Sequence, residues 1–166
     1  MNKITELISL TNTSYKNYII KTYLINTGGA IFIGFLLYTF LEIINVDMDN
    51  YSNKNFECSF IYFSGSIILS PVVETFILVG IINVMRAYTS IFGRFAIFSG
   101  LIWGFIHSFF NLFSFPVIVW EFFVMSLVYI HMSNKGFWLG YSSSLILHVL
   151  NNFSALMFLF IVGSIC

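Results

Sequence analysis

From Phe95 to Asn134 the sequence carries a single charged side chain, Glu121, and from Gly136 to its last residue it carries none. A domain folded in water cannot be built from such runs. Its surface needs charge, ordinarily about a quarter of all residues. Here Asp, Glu, Lys and Arg make up 8% of 166 residues, against 58% apolar types. Phe alone occurs 21 times, and aromatic rings are tolerated in lipid and at its interfaces. The chain therefore reads as an integral membrane protein of the all-α, polytopic type. A net charge of zero with no basic patch excludes nucleic-acid binding, and the apolar excess excludes disorder. Two prolines and 11 glycines leave no linker-like stretch, so one compact unit is expected.

A spanning helix needs about 20 largely apolar residues, which cuts the chain into about five spans. Residues 1–16 are polar, with Ile4, Leu7, Ile8 and Thr11 at helical spacing, and suit the interface. The first span runs from Tyr18 or Thr22 to Ile44; without a small-residue cleavage site it is a helix and not a signal peptide. Residues 46–58 form a hydrophilic loop. The second span covers Ser59–Met85, the third Phe95–Phe113, and the fourth opens with Pro116 just inside its start and ends near Met132. The loop Ser133–Gly136 leads to the fifth, Phe137–Gly163. Residues 1–58 thus form an interfacial segment, one helix and an outer loop, and residues 59–166 a four-helix core.

Basic residues set the orientation. One side collects Lys3, Lys16, Lys21, Arg86, Arg94 and Lys135, and the other has Lys54 alone. Positive charge stays on the cytoplasmic side, so the N-terminus is expected inside, as in a bacterial inner membrane. Cys58 and Cys166 fall towards the outer side. A disulfide there is open, but nothing in their spacing signals one, and two unpaired thiols are favoured.

Ionisable groups inside a bilayer cost about 2.5–3.5 kcal/mol on an insertion scale, so those retained are functional candidates. Glu74, His107, Glu121 and His148 stand well inside the spans. Glu74 lies 12 residues from Arg86, His107 13 from Arg94 and His148 13 from Lys135. At the helical rise each sits roughly 18–20 Å from its basic anchor, and three helices bring an acid and two imidazoles to one level. Glu121, 14 residues before Lys135, belongs to nearly the same layer.

Faces add to depth. His148 and Asn152 share a face, Ser144 continues it, and Asn151 is a near neighbour. Gly100, Trp103, Gly104, His107 and Asn111 form a second stripe, in which the two glycines permit close helix approach. Pro71, three residues before Glu74, is expected to kink the second span and open space beside the carboxylate.

Such a set suits a carboxylate that takes a proton from water, imidazoles that stabilise charge or carry protons, and Asn152 as a neutral donor to an oxyanion. Equally, Glu74, His107 and His148 could hold a divalent ion such as zinc, with a position open for water. A single histidine in an apolar helix is more often a strut between helices. Convergence of three helices at one depth favours the chemical readings.

Three segments resemble the motifs of the CAAX protease and bacteriocin-processing (CPBP, or Abi) family. They are Ser70-Pro71-Val72-Val73-Glu74, Trp103-Gly104-Phe105-Ile106-His107 and His148-Val149-Leu150-Asn151-Asn152. The family pattern is Glu-Glu-x-x-x-Arg after a proline, then aromatic-x-x-x-His, then His-x-x-x-Asn. The stretch from Tyr129 through Ser133-Asn134-Lys135-Gly136-Phe137-Trp138 is similar to the turn the family carries between the last two. The resemblance spans about Ser59 to Phe160. It implies an intramembrane endopeptidase acting on a lipidated or membrane-embedded peptide, with membrane lipids and that peptide as its partners. By motif match, Glu74 activates the water, His107 positions it, and His148 with Asn152 forms the oxyanion site. Glu121, Asn111, Asn151 and Trp103 are supporting candidates. The family is described both as metalloproteases and as metal-independent glutamate proteases, so the metal stays open.

One departure is informative. Thr75 stands where the family has its second Glu, and Val79 where it has Arg. Losing one partner of a buried ion pair costs about 3–5 kcal/mol, whereas losing both can be neutral. Joint loss therefore fits a stably folded, divergent member. A non-catalytic immunity or scaffold protein with the same fold is the runner-up reading, and a small proton-coupled transporter the third.

Overall fold

The computed structural model describes residues 14–46, 64–88, 92–109 and 112–161. The interfacial positions before Ser14, most of the outer loop, the expected start of the second span at Ser59, and both cysteines lie outside the described residues. Five α-helices account for almost all of the described chain, with no strand among the described residues. They are α1 (Tyr15–Ile43), α2 (Ser70–Arg86), α3 (Phe92–Ser108), α4 (Phe115–Ser133) and α5 (Phe137–Ile161). A π-helical turn, Gly65–Leu69, runs directly into α2, and a 3-10 turn, Leu112–Ser114, runs into α4.

Helix ends follow local chemistry. Ser14 caps α1 by accepting from the Asn17 N–H at 3.4 Å. At the other end Asn45 takes φ 57°, a left-handed conformation that asparagine tolerates better than most residues. That turn lets the Val46 N–H reach the Leu41 carbonyl at 3.0 Å and the Asn45 N–H reach that of Glu42 at 3.1 Å, which satisfies two end carbonyls. Pro116 sits in the first turn of α4, where its missing N–H costs nothing. Gly136 takes φ 151° between α4 and α5, a conformation that side chains disfavour.

Three stretches are long and apolar enough to cross a membrane: Tyr15–Ile43, Gly65–Arg86 and Leu112–Ser133. The outer surface agrees, since Leu24, Ile31, Phe35, Phe76 and Phe105 are all exposed where only lipid would favour them. The protein is therefore all-α with the character of an integral membrane protein. Helix α3, at 17 residues, measures roughly 25 Å. Helix α5 is longer, with 25 residues, but carries a polar stripe.

Helix α4 is apolar around most of its circumference, and such a helix belongs in the interior. It lies at the centre, with Phe122, Val124, Met125, Val128 and Tyr129 all buried. Helix α3 reaches it closely: a Cβ on Gly100 would stand 2.6 Å from the Val119 carbonyl oxygen, and one on Gly104 would run into Val119 and Phe115. Helix α1 docks through Trp120, whose indole covers Gly29 and donates to the Asn26 carbonyl at 3.0 Å. Helix α2 is tied to α4 by Tyr129, which donates to Asn83 at 2.9 Å, and by Arg86, which donates to Ser133 at 2.8 Å.

Candidate active site

The first element of the site is a backbone irregularity. In the π turn the Ser70 N–H bonds to the Gly65 carbonyl, five residues back. By the same register the Ser66 carbonyl would take the N–H of residue 71, but that residue is proline and has none. Asn152 fills the gap, donating from Nδ2 to the Ser66 oxygen at 2.9 Å. The sequence led to an expectation of a proline kink within a spanning helix. Instead Pro71 stands in the first turn of α2, because the register change is absorbed before it. Single π turns of this kind are frequent at functional sites.

Glu74 follows one turn later. The Ser70 hydroxyl donates to its Oε1. Its Oε2 faces two imidazoles, with His107 Nε2 at 3.5 Å and His148 Nε2 at 3.6 Å. Both gaps exceed an ordinary hydrogen bond of about 2.7–3.2 Å and remain close enough for charge pairing. Three helices thus deliver these groups to one point: α2 the carboxylate, α3 His107 and α5 His148. His148 is nearly inaccessible, while the His107 side chain is 32% exposed.

Behind His148 stands Thr75, its Oγ1 3.3 Å from the imidazole Nδ1. The position read as a loss from the family pattern therefore has a partner. Val79, where the resembled pattern has arginine, is buried in the core, where an unpaired charge would be expensive.

Beside the three groups lies a cavity of about 180 Å³, polar and roomy enough for several waters. It gathers Glu74, His107, Glu121, His148 and Asn152, and Phe122 helps to close it. Glu121 makes no hydrogen bond or ion pair among the described residues and lines this space. Phe122 meets His148 edge-on at 5.2 Å between centroids and stacks on Trp103 at 4.7 Å. Trp103 also lies 5.9 Å from the His107 ring. Phe122 was not singled out in the sequence. Its position next to Glu121 in the same layer was the available signal.

Other candidates fall elsewhere. Asn151 turns away from the cavity towards α1, where its Oδ1 accepts from Thr27 at 3.3 Å. Ser144 donates to the Met125 carbonyl at 3.3 Å and serves α4–α5 packing. Asn111 lies outside the described residues. The donors suited to a divalent ion are Glu74 Oε2 and the Nε2 atoms of His107 and His148. Among the described residues no such group of three stands ready assembled as an ion site.

Chemically, a carboxylate flanked by two imidazoles beside a polar cavity can take a proton from water and hold it next to a reacting group. Comparison with protein-family models, curated proteins and solved structures finds no match for this chain.

Proposed function

We propose that the protein is an intramembrane endopeptidase, a divergent relative of the CPBP family, that hydrolyses a membrane-embedded or lipidated peptide. The observation that carries this reading is the meeting of Glu74 with His107 and His148, from three separate helices, beside one polar cavity. Retaining an acid and two imidazoles at that depth is costly unless they work.

In this reading all five helices cross the membrane, α2 to α5 form the catalytic core, and the N-terminus is cytoplasmic. Glu74 takes a proton from a cavity water, whose oxygen attacks the peptide carbonyl. His107 positions that water. The tetrahedral oxyanion receives hydrogen bonds from His148 and from the second Nδ2 proton of Asn152, the first being held by the Ser66 carbonyl. Glu74 returns its proton to the leaving nitrogen, and the C–N bond breaks. An ion held by Glu74, His107 and His148 would polarise the same water.

The test is cleavage of membrane-tethered reporter peptides by the purified protein in liposomes, read by mass spectrometry. Wild-type protein should cut, and Glu74→Ala and His148→Ala should not. Variants that cut at the wild-type rate would overturn the mechanism. A chelator arm separates the two forms of the site: loss of cutting that added zinc restores assigns the water to a metal.

A further inference from the structure

The Glu74–His107–His148 cluster contains two imidazoles in unlike surroundings. His107 is partly exposed and has no hydrogen bond to its Nδ1 among the described residues. His148 is buried, and its Nδ1 faces one hydroxyl, Thr75 Oγ1, at 3.3 Å. Both members of that contact are nearly inaccessible to solvent, Thr75 at 1% and His148 at 4%, so water does not compete for it. A neutral imidazole carries one proton, and the partner of one nitrogen decides which nitrogen carries it.

Two arrangements are conceivable, and the Glu74 carboxylate and the Thr75 hydroxyl separate them together: that hydroxyl makes no other hydrogen bond among the described residues, so its proton is used only when it donates to Nδ1. If Nδ1 held the proton, the Nε2 lone pair would face Glu74 Oε2 at 3.6 Å, an acceptor against an acceptor. The other carboxylate oxygen of Glu74 already accepts from Ser70, as an ionised carboxylate does. If the Thr75 hydroxyl donates to Nδ1, the proton sits on Nε2 and points at Glu74. Every contact then joins a donor to an acceptor.

We propose that Thr75 is a positioning residue that holds His148 as its Nε2–H tautomer, making that imidazole a standing donor towards the reacting centre. A carboxylate at position 75 would instead accept from the imidazole and favour its charged form. The hydroxyl adds no charge there, and by donating to Nδ1 it leaves the free N–H directed inward. The two histidines thereby divide the work: His148 donates, and His107, partly exposed, faces the cavity. This division rests on the peptidase reading, whereas the tautomer does not.

The experiment is long-range ¹⁵N–¹H NMR of the full chain, labelled at its three histidines, in detergent micelles, comparing wild type with Thr75→Val and Thr75→Ser. Wild-type His148 should be neutral and protonated at Nε2. Thr75→Val should shift the tautomer ratio towards Nδ1–H by roughly 2- to 12-fold, the equivalent of one net hydrogen bond, and Thr75→Ser should restore it. Unchanged His107 and His131 resonances and helical circular dichroism show that the variant is folded. Should Thr75→Val not fold, the wild-type and Thr75→Ser spectra decide alone. Wild-type His148 protonated at Nδ1, the state a metal-bound Nε2 requires, overturns the proposal. So does a doubly protonated ring, or a folded Thr75→Val variant with the wild-type ratio. Reporter cleavage measured in parallel keeps the two claims apart. The Nε2–H tautomer without cleavage removes the peptidase and keeps the positioning role, and cleavage without that tautomer does the reverse.

Discussion

Replacing Gly100 by alanine tests how the α3–α4 seam governs the site. The new Cβ would lie 2.6 Å from the Val119 carbonyl oxygen and 3.3 Å from the Phe123 nitrogen, both backbone atoms. Neither can swing aside as a side chain would. The seam must open by about 0.8 Å, the difference between 2.6 Å and an ordinary contact of 3.4 Å. A gap of that size forfeits roughly a quarter to a half of each dispersion contact across it. Gly80→Ala is the control, because a Cβ there meets nothing within 4 Å. Both changes bring the same helix-propensity gain of about 1 kcal/mol, which cancels in the comparison. The difference is the overpacking cost, about 1–3 kcal/mol. For a chain of this size each kcal/mol moves the melting midpoint by about 2–4 °C. Thermal unfolding followed by circular dichroism in one detergent should therefore place Gly100→Ala about 2–12 °C below Gly80→Ala. His107 lies two turns further along the same face of α3, so the shift also disturbs its placement against Glu74, and reporter cleavage should fall with the midpoint. A Gly100→Ala midpoint at or above that of Gly80→Ala would refute the close-approach argument.

Trp120→Ala removes the indole that covers Gly29 and bonds to Asn26, at a cost of about 3–5 kcal/mol. Maleimide labelling of a cysteine introduced at the buried Thr22 should then accelerate as α1 loosens, and unchanged labelling would contradict the docking role. Arg86→Met loses the bonds to Ser133 and to the Ile130 carbonyl, about 1.5–3 kcal/mol for a charged donor. Arg86→Lys should recover only part of this in denaturant unfolding, because the lysine chain ends one atom short of Nη2, the nitrogen that makes both bonds. Asn152→Ala leaves the Ser66 carbonyl without its donor, about 1–3 kcal/mol. Hydrogen exchange over residues 66–70 should quicken, and wild-type exchange would show that Asn152 does not hold the π turn.

Depth was legible in the sequence because helical rise is uniform. Counting residues from Arg86, Arg94 and Lys135 places Glu74, His107 and His148 at one level, and the structure brings all three to one cavity. Pro116 announced the start of α4, and Gly100 and Gly104 announced the close approach of α3. Rotation about each helix axis was less legible, since it depends on which neighbour a face meets. Asn151 and Asn152 are adjacent in sequence, yet one turns to Thr27 and the other to Ser66. The π turn could not be read at all. Its register is set when Asn152, 86 residues away, supplies the donor that Pro71 lacks. Thr75 looked like a deletion of chemistry, because its partner, His148 Nδ1, belongs to another helix. Nothing in its residue type marks Phe122 as facing the site, since only the packing of α4 at the centre turns it inward.

The central claim is that Glu74 and His148 act as one catalytic unit, and a double-mutant cycle on reporter cleavage tests it most directly. Groups that work together are grossly non-additive: once either is gone, removing the other costs little more. Glu74→Gln and His148→Ala should each abolish most of the rate, and the double variant should be no slower than the slower single one. A double variant whose loss equals the product of the two single losses, or single variants that keep the wild-type rate, would contradict the account.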